Sequence, residues 1–396
     1  MLNSLKINNF RCLSNFQIEK LGKVNLIVGK NNSGKSSVLE AIRLYARRAN
    51  PALLREIAAG HGEKYITSES NFDEKSYSDD SEIAFQAFFS GREIPDNDNC
   101  PIYIGNIEKT SFIEIEHALY FDEYEEIEDS DGEVIRRRKR SRLEKSDLFN
   151  LNTKAQQALL VTSSESEIQG WIELGENSFP RRNSVFWDRA VSDIPLSYVP
   201  TQFLSLDYLA QLWDQIVLTP HEDSVKRALK IVEKNVEEIA FVQTKLNEAR
   251  GSRRLEKTER TAKIKLKGLK NGIPLNSMGD GMVRVLQLAL TIFPAKNGFL
   301  LIDEFENGLH WTVQENIWRL IFELATELNI QVFATSHSND AVKGFAIAAN
   351  DHPQLGTLIK LTRPQQKNGI GEASAIVASI DEVSLLAATN AEIELR

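Results

Sequence analysis

The chain has 396 residues, 42% of them hydrophobic and 26% charged, with a formal net charge of −9. That length supports two or three lobes with a sizeable core, and no run of about 18 apolar residues offers a membrane span. The acidic balance argues against non-specific adhesion to nucleic acid, and Cys12 and Cys100 alone cannot form a disulfide framework, which suits a reducing cytoplasm.

The start, MLNSLKINNFRC, has no basic patch followed by an apolar block, so no secretory leader is expected. LKINNF alternates as a short strand, and VNLIVG is a continuous apolar strand ending in glycine. SSVLEAIRLYARR then places Val38, Leu39, Ile42 and Ala46 at helical spacing. Between that strand and helix lies GKNNSGKS, Gly29 to Ser36, a full G-x-x-x-x-G-K-[ST] element in the context it requires. Its glycines let backbone N–H groups wrap phosphates, Lys35 reaches the β and γ oxygens, and Ser36 can ligate Mg²⁺. Gly29, Asn31, Asn32, Ser33, Gly34, Lys35, Ser36 and Ser37 are therefore candidate nucleotide contacts.

From about 51 to 200 the periodicity is mixed and mostly strand-like. An insertion from Asp122 to Lys145 has a hairpin signal at Asp131-Gly132, an acidic arm DEYEEIEDSDGE and a basic arm RRRKRSR at 136–142. Either the basic arm pairs with the acidic one across two strands, or it meets nucleic acid or a partner. Residues 205–241 are expected to be helical, with Val225, Leu229, Val232, Val236 and Ile239 forming a seam too short for an extended coiled coil. A basic stretch follows, with Arg250, Arg253, Arg254, Lys257, Arg260, Lys263, Lys265, Lys267 and Lys270. Within it KIKLKGL alternates as a strand with its lysines on one face, either a solvated ribbon or a nucleic-acid contact.

SMGDGMVRVLQLAL, beginning at Ser277, is either a turn preceding a helix or an anion-binding helix N-terminus. GFLLID is a buried strand that delivers Asp303 and Glu304 at its C-terminal edge, where sheets of alternating strands and helices bind ligands. Asp303 would hold the Mg²⁺ shell, and Glu304 would orient the attacking water or accept its proton. Ile317, Leu320, Ile321, Leu324 and Leu328 form a helical stripe, and IQVFAT and TLIKL are further strands. His337, in ATSHS, falls at another strand end and is a candidate γ-phosphate contact. The alternation predicts an α/β fold with a mainly parallel core sheet.

Taken together, NFRCL, NNSGKSSVLEAI, SMGDGMVRVLQLAL, LLIDEFENGLH and ATSHS resemble the ABC-type ATPases of the SMC and RecF kind. Within that kind the chain is most similar to the ATPase domain of OLD-family (overcoming lysogenization defect) proteins. The resemblance implies a P-loop NTPase fold with an antiparallel β subdomain and a helical signature lobe. It assigns Ser277 and Gly279 to the signature, which completes the ATP site of the opposite protomer in a head-to-tail dimer. Where transporters read LSGGQ this chain reads NSMGD, so Asn276, Met278 and Asp280 depart from the pattern. The resemblance further assigns Arg11 as an arginine that approaches the nucleotide. Gln202, with Gln86 as competitor, becomes the Mg²⁺-sensing glutamine, and Glu306 to His310 the D-loop, followed here by Trp311 where OLD-like chains usually have proline.

The expected organisation is a first ATPase lobe at 1–204 with the charged hairpin at about 118–147, a helical arm and basic ribbon at 205–270, and a second lobe at 271–396. No long coiled-coil arm is present, and the residues after His337 carry no acidic cluster of the Toprim nuclease kind. The expected function is a cytoplasmic, Mg²⁺- and ATP-dependent ATPase switch that assembles as a homo-oligomer. It would control a separate effector, such as a nuclease, in prokaryotic antiphage defence. The alternatives are a RecF-like ATPase binding DNA through its basic ribbons, and a scaffold for which ATP binding suffices.

Overall fold

The computed structural model describes residues 1–65, 82–83, 85–94, 100–128, 134–143, 156–174, 180–187, 192–250, 253–363, 365–366, 369–370 and 374–378. Its centre is a six-stranded sheet in the order Leu196–Val199, Phe299–Ile302, Gln331–Ser336, Val24–Val28, Gly356–Thr362, Ser374–Ala378. The first five strands run parallel and the last antiparallel. Strands covered on both faces carry apolar residues on both sides, as Phe299–Ile302 does throughout and Val24–Val28 does except at Asn25. Leu26, Val28, Leu300, Ile302, Val332 and Ala334 join one apolar cluster, whereas Ile27, Leu301 and Phe333 join another.

The first cluster is covered by helices Leu206–Ile216, Pro220–Val232, Asp280–Thr291, Trp311–Glu327 and Asn339–Asn350. In the second, helix Lys35–Ala46 buries Val38, Leu39, Ile42 and Ala46. The same cluster takes in Ile7, Ile104 and Ile113 from an eight-stranded antiparallel sheet. That sheet runs Pro180–Trp187, Ser166–Leu174, Gln156–Ser163, Phe112–Glu128, Ile102–Gly105, Leu5–Phe10, Leu13–Ile18, with Val134–Leu143 also paired to Phe112–Glu128. The α/β expectation, with a parallel core sheet and an antiparallel subdomain, therefore holds.

Three local readings change. Helix Pro51–Gly60 opens the stretch that the sequence marked as strand-like, capped by the Asn50 side chain and started by proline at its first turn. The helix expected over 205–241 is two helices, broken where Thr219 caps a second start at Pro220 and ending at Val232. Val236 and Ile239 belong instead to strand Val236–Arg250, paired with Arg253–Leu266. A bulge between Val236 and Glu238 inserts one residue, so positions three apart are both buried and imitate a helical period.

The basic partner strand keeps the expected alternation, with Ala262 and Ile264 buried and Lys263 exposed. In the charged insertion the strand register sets Asp122 against Arg140, Glu123 against Lys139, Glu125 against Arg137 and Glu126 against Arg136. The side chains at those positions lie outside the described residues. The Asp131-Gly132 turn and the side chains of Arg250, Arg253, Arg254 and Lys257 lie outside the described residues.

Candidate functional site

Neighbouring parallel strands end together: Val199 is opposite Ile302, Ile302 opposite Ala334, and Ser336 opposite Val28. The segments that follow, Gly29–Ser36, Asp303-Glu304, His337 and Thr201-Gln202, consequently line one rim of the sheet, the ligand side of such folds. A register of four parallel strands thus assembles residues as far apart in the chain as Gly29 and His337.

The loop after Val28 wraps tightly. A β-carbon at Gly29 would sit 2.7 Å from the Leu361 carbonyl oxygen and 2.7 Å from Ser33 Oγ. Gly34 caps helix Lys35–Ala46 at φ 101°, a left-handed conformation that disfavours any side chain. Asn31 and Asn32 are exposed at the outer bend, Asn32 at φ 62°, while Ser33 is buried. Lys35 Nζ donates to the carbonyls of Gly29 (2.8 Å) and Lys30 (3.0 Å), closing the loop on itself. Burial lowers the pKa of Lys35, and Asp303, Glu304 and Glu306 act in the opposite direction.

Asp303 is held from two sides. Ser36 Oγ donates to its Oδ2 at 3.4 Å and Thr335 Oγ1 to its Oδ1 at 2.6 Å. A hydroxyl beside a carboxylate is a hard-oxygen donor set that fits Mg²⁺, which typically takes one or two protein ligands and completes its shell with phosphate and water. Glu304 follows at φ 48°, in the left-handed region, and its N–H donates to Thr335 Oγ1 at 2.8 Å. The Arg284 guanidinium reaches the carbonyls of Asp303 (2.9 Å) and Glu304 (3.0 Å).

His337 lies half exposed against Glu306, with Nδ1 3.1 Å from Oε1 and its backbone N–H donating to the same oxygen at 2.8 Å. Glu306 Oε2 is buried with no hydrogen-bond partner among the described residues. Gln202 is exposed beyond strand Leu196–Val199, next to the Asp303 strand, whereas Gln86 sits in the turn Phe85–Phe88 beside the antiparallel sheet. The rim position belongs to Gln202. Ser277 and Gly279 are exposed ahead of helix Asp280–Thr291, with Gly279 at φ 88° as its cap. Asp280 occupies the first turn of that helix, where the dipole favours a negative side chain.

Arg11 is not among the groups gathered at the phosphate loop. Its guanidinium is taken up by Glu40 (Nε to Oε2, 2.9 Å) and Glu63 (3.1 Å), 5.3 Å from the centre of the Phe88 ring. The Arg11-Cys12 turn nonetheless abuts the loop's helix, with the Cys12 thiol 3.6 Å from Ser37 Oγ.

Two residues of this rim escape sequence reasoning, Thr335 and Arg284, while Glu306, which the resemblance placed in the D-loop, has a contact with His337 that no spacing announces. Thr335 stands two places before His337 in the quoted ATSHS, yet nothing in its spacing says that it bonds Asp303. Arg284 had a visible signal, because Arg284, Gln287 and Thr291 form a polar stripe at helical spacing inside a run that is otherwise apolar.

Comparison with known proteins adds relatives. The family model described as "AAA ATPase domain" matches residues 1–342. A curated "ATP/GTP phosphatase" of Helicobacter pylori (strain ATCC 700392 / 26695) is 21% identical over 358 residues, covering 87% of each chain. The "DNA double-strand break repair Rad50 ATPase" of Archaeoglobus fulgidus (strain ATCC 49558) is 46% identical over 56 residues, 14% of this chain and 6% of that one. Among solved structures, an SMC head bound to the C-terminal winged-helix domain of ScpA is similar at 12% identity and a TM-score of 0.45, covering 96% of this chain and 98% of that one. The SMC head domain from Thermotoga maritima gives 14% identity and 0.39, covering 96% and 99%.

Proposed function

The chain belongs to the AAA ATPase domain family, whose model spans residues 1–342, and from that premise we propose that it is a Mg²⁺-dependent ATP-hydrolysing switch. The observation that carries the reading is the convergence on Asp303. Ser36 and Thr335 both donate to its carboxylate, Lys35 is anchored on the adjoining loop, and Glu304 is set directly after it. Lys35 and the amides of Gly29–Ser36 bind the triphosphate; Ser36 and Asp303 are the residues that would hold Mg²⁺, with Gln202 nearby. Held there, the ion would supply positive charge to offset that of the phosphates. Glu304 orients the attacking water and takes its proton, and His337 contacts the γ-phosphate. Ser277 and Gly279 serve the opposite protomer's site, because their exposed helix start offers free N–H groups and a favourable dipole.

The finer reading is an OLD-like, cytoplasmic ATPase that assembles around ATP and governs a separate effector, such as a nuclease, in antiphage defence. It draws on the motif resemblance, and exposed Phe203 and Trp311 offer apolar surface for a second copy. A DNA-binding repair ATPase is the second reading, supported by exposed Lys263, Lys267 and Lys270 on the ribbon. The decisive experiment is Glu304→Gln. Retained ATP binding, turnover lowered by about a hundredfold or more and an ATP-trapped dimer are expected. Hydrolysis at the wild-type rate would remove Glu304 from its role.

A further inference from the structure

Arg284 is a large charged side chain with no accessible surface, in the first turns of the helix that begins at Asp280. A guanidinium in such a place needs partners, and those that bond it here are backbone carbonyls from two other segments. One terminal nitrogen donates to Pro200 O at 2.7 Å, the other to Asp303 O at 2.9 Å and Glu304 O at 3.0 Å. One turn on, Gln287 repeats the pattern: its Oε1 accepts from the Leu204 N–H at 3.3 Å, and its Nε2 lies 3.5 Å from Gln202 O. The helix that carries Ser277 and Gly279 at its start is thereby bonded to the Gln202 segment and to the carboxylate turn of the same protomer.

The turn being gripped is unusual. Glu304 holds φ 48°, a left-handed conformation disfavoured for a residue with a β-carbon, so the surroundings must impose it. Thr335 Oγ1 accepts from the Glu304 N–H, and Arg284 donates to the Glu304 carbonyl. The two contacts seize the same residue from opposite ends of its backbone. The positive charge also lies among Asp303, Glu304 and Glu306, easing the repulsion of three carboxylates at one rim. Nothing else about the buried position calls for an arginine, since its helical neighbours Met282, Val283, Val285 and Leu286 are apolar and buried.

We infer that Arg284 is a positioning residue for hydrolysis: from the Ser277 helix it holds Glu304 in its left-handed conformation and joins the posture of that helix to the aim of the carboxylate. The inference rests on the proposed role of Glu304. A partner nucleotide engaged by Ser277 and Gly279 would therefore act on the helix that fixes Glu304 in the same chain, a direct mechanical link between the two half-sites of an assembly.

The test compares Arg284→Lys and Arg284→Gln with wild type in the full chain, reading kcat, KM, the affinity for a fluorescent ATP analogue, and the melting temperature. Lysine keeps the charge but cannot bond three carbonyls in one plane. The expected result is a kcat lowered by about tenfold to a hundredfold, with KM and analogue affinity within about threefold of wild type. A kcat within about twofold of wild type, or a loss of analogue binding equal to the loss of kcat, would overturn the inference. Were neither variant to fold, Glu304→Gly would be added to Arg284→Lys, since glycine takes φ 48° without a clamp. Recovered folding supports the role and continued unfolding overturns it. Glu304→Gln run in parallel separates the two claims. If that variant hydrolyses normally the base assignment fails, whereas if it is inactive and Arg284→Lys is not, only the clamp fails.

Discussion

Lys35 is a buried cation whose desolvation lowers its pKa and is only partly offset by Asp303, Glu304 and Glu306 around it. Its ammonium bonds two carbonyls of its own loop, so a phosphate exchanges neutral acceptors for an anionic one at little reorganisation cost. Lys35→Ala removes a hydrogen bond to a charged group, about 1.5–3 kcal/mol, or roughly tenfold to a hundredfold in ATP affinity. Calorimetric titration with ATP measures this, and unchanged affinity would exclude Lys35 from the phosphate site. Thr335→Val leaves the Glu304 N–H and Asp303 Oδ1 each without a partner. About 1–3 kcal/mol of stability should go with them, read by urea unfolding, together with a fall in kcat. Residue identity was legible for Lys35, Ser36, Asp303 and Glu304, whose spacing and flanks carry chemical meaning. It was not legible for Thr335, nor was the contact of Glu306 with His337, because both depend on which strand lies alongside.

At the scale of elements, the phosphate loop and its helix are locally encoded. Gly34 at φ 101° shows why that position tolerates no substituent. Gly34→Ala should weaken ATP binding by about tenfold, through a left-handed cost of about 1–2 kcal/mol. Gly60→Ala, where an added β-carbon meets nothing within 4 Å, should leave it unchanged; equal effects in both would point to general destabilisation. Strand Val236–Arg250 shows the limit of periodicity. Spacing alone cannot tell a bulged strand from a helix, and pairing with Arg253–Leu266 settles the matter. On that ribbon Arg260 is engaged by Asp214 and Lys265 by the carbonyls of Leu269 and Lys270, and among the described residues Lys263, Lys267 and Lys270 are exposed cations. Reversing Lys263 and Lys267 to glutamate should not alter ATP turnover. Duplex-DNA binding that falls steeply with salt and vanishes in this variant would favour the repair reading.

For the molecule as a whole, the rim holds phosphate-loop, carboxylate and histidine groups, while Ser277 and Gly279 stand exposed at the start of their own helix. If those residues complete a second protomer's site, mixing Ser277→Arg with Lys35→Ala protomers should restore about one working site per dimer. Turnover in the mixture then exceeds that of either variant alone. Confirmed heterodimers without recovered phosphate release would count against completion in trans. Arg11 belongs to the same scale, since Glu40 on the loop's helix and Glu63 hold it beside the phosphate loop rather than in it.

The sequence by itself determined the phosphate loop, the paired carboxylates at a strand end, the α/β class and most helix faces, because each depends on neighbours within one or two turns of chain. Only the tertiary structure decided which strands lie side by side, and with them the Thr335 bond to Asp303 and the rim place of Gln202. It also decided the engagement of Arg11 by carboxylates and the burial of Arg284 beneath Glu304. Those contacts join residues from about 20 to more than 80 positions apart, and the partners of Arg284 are backbone atoms, which carry no residue-specific signal.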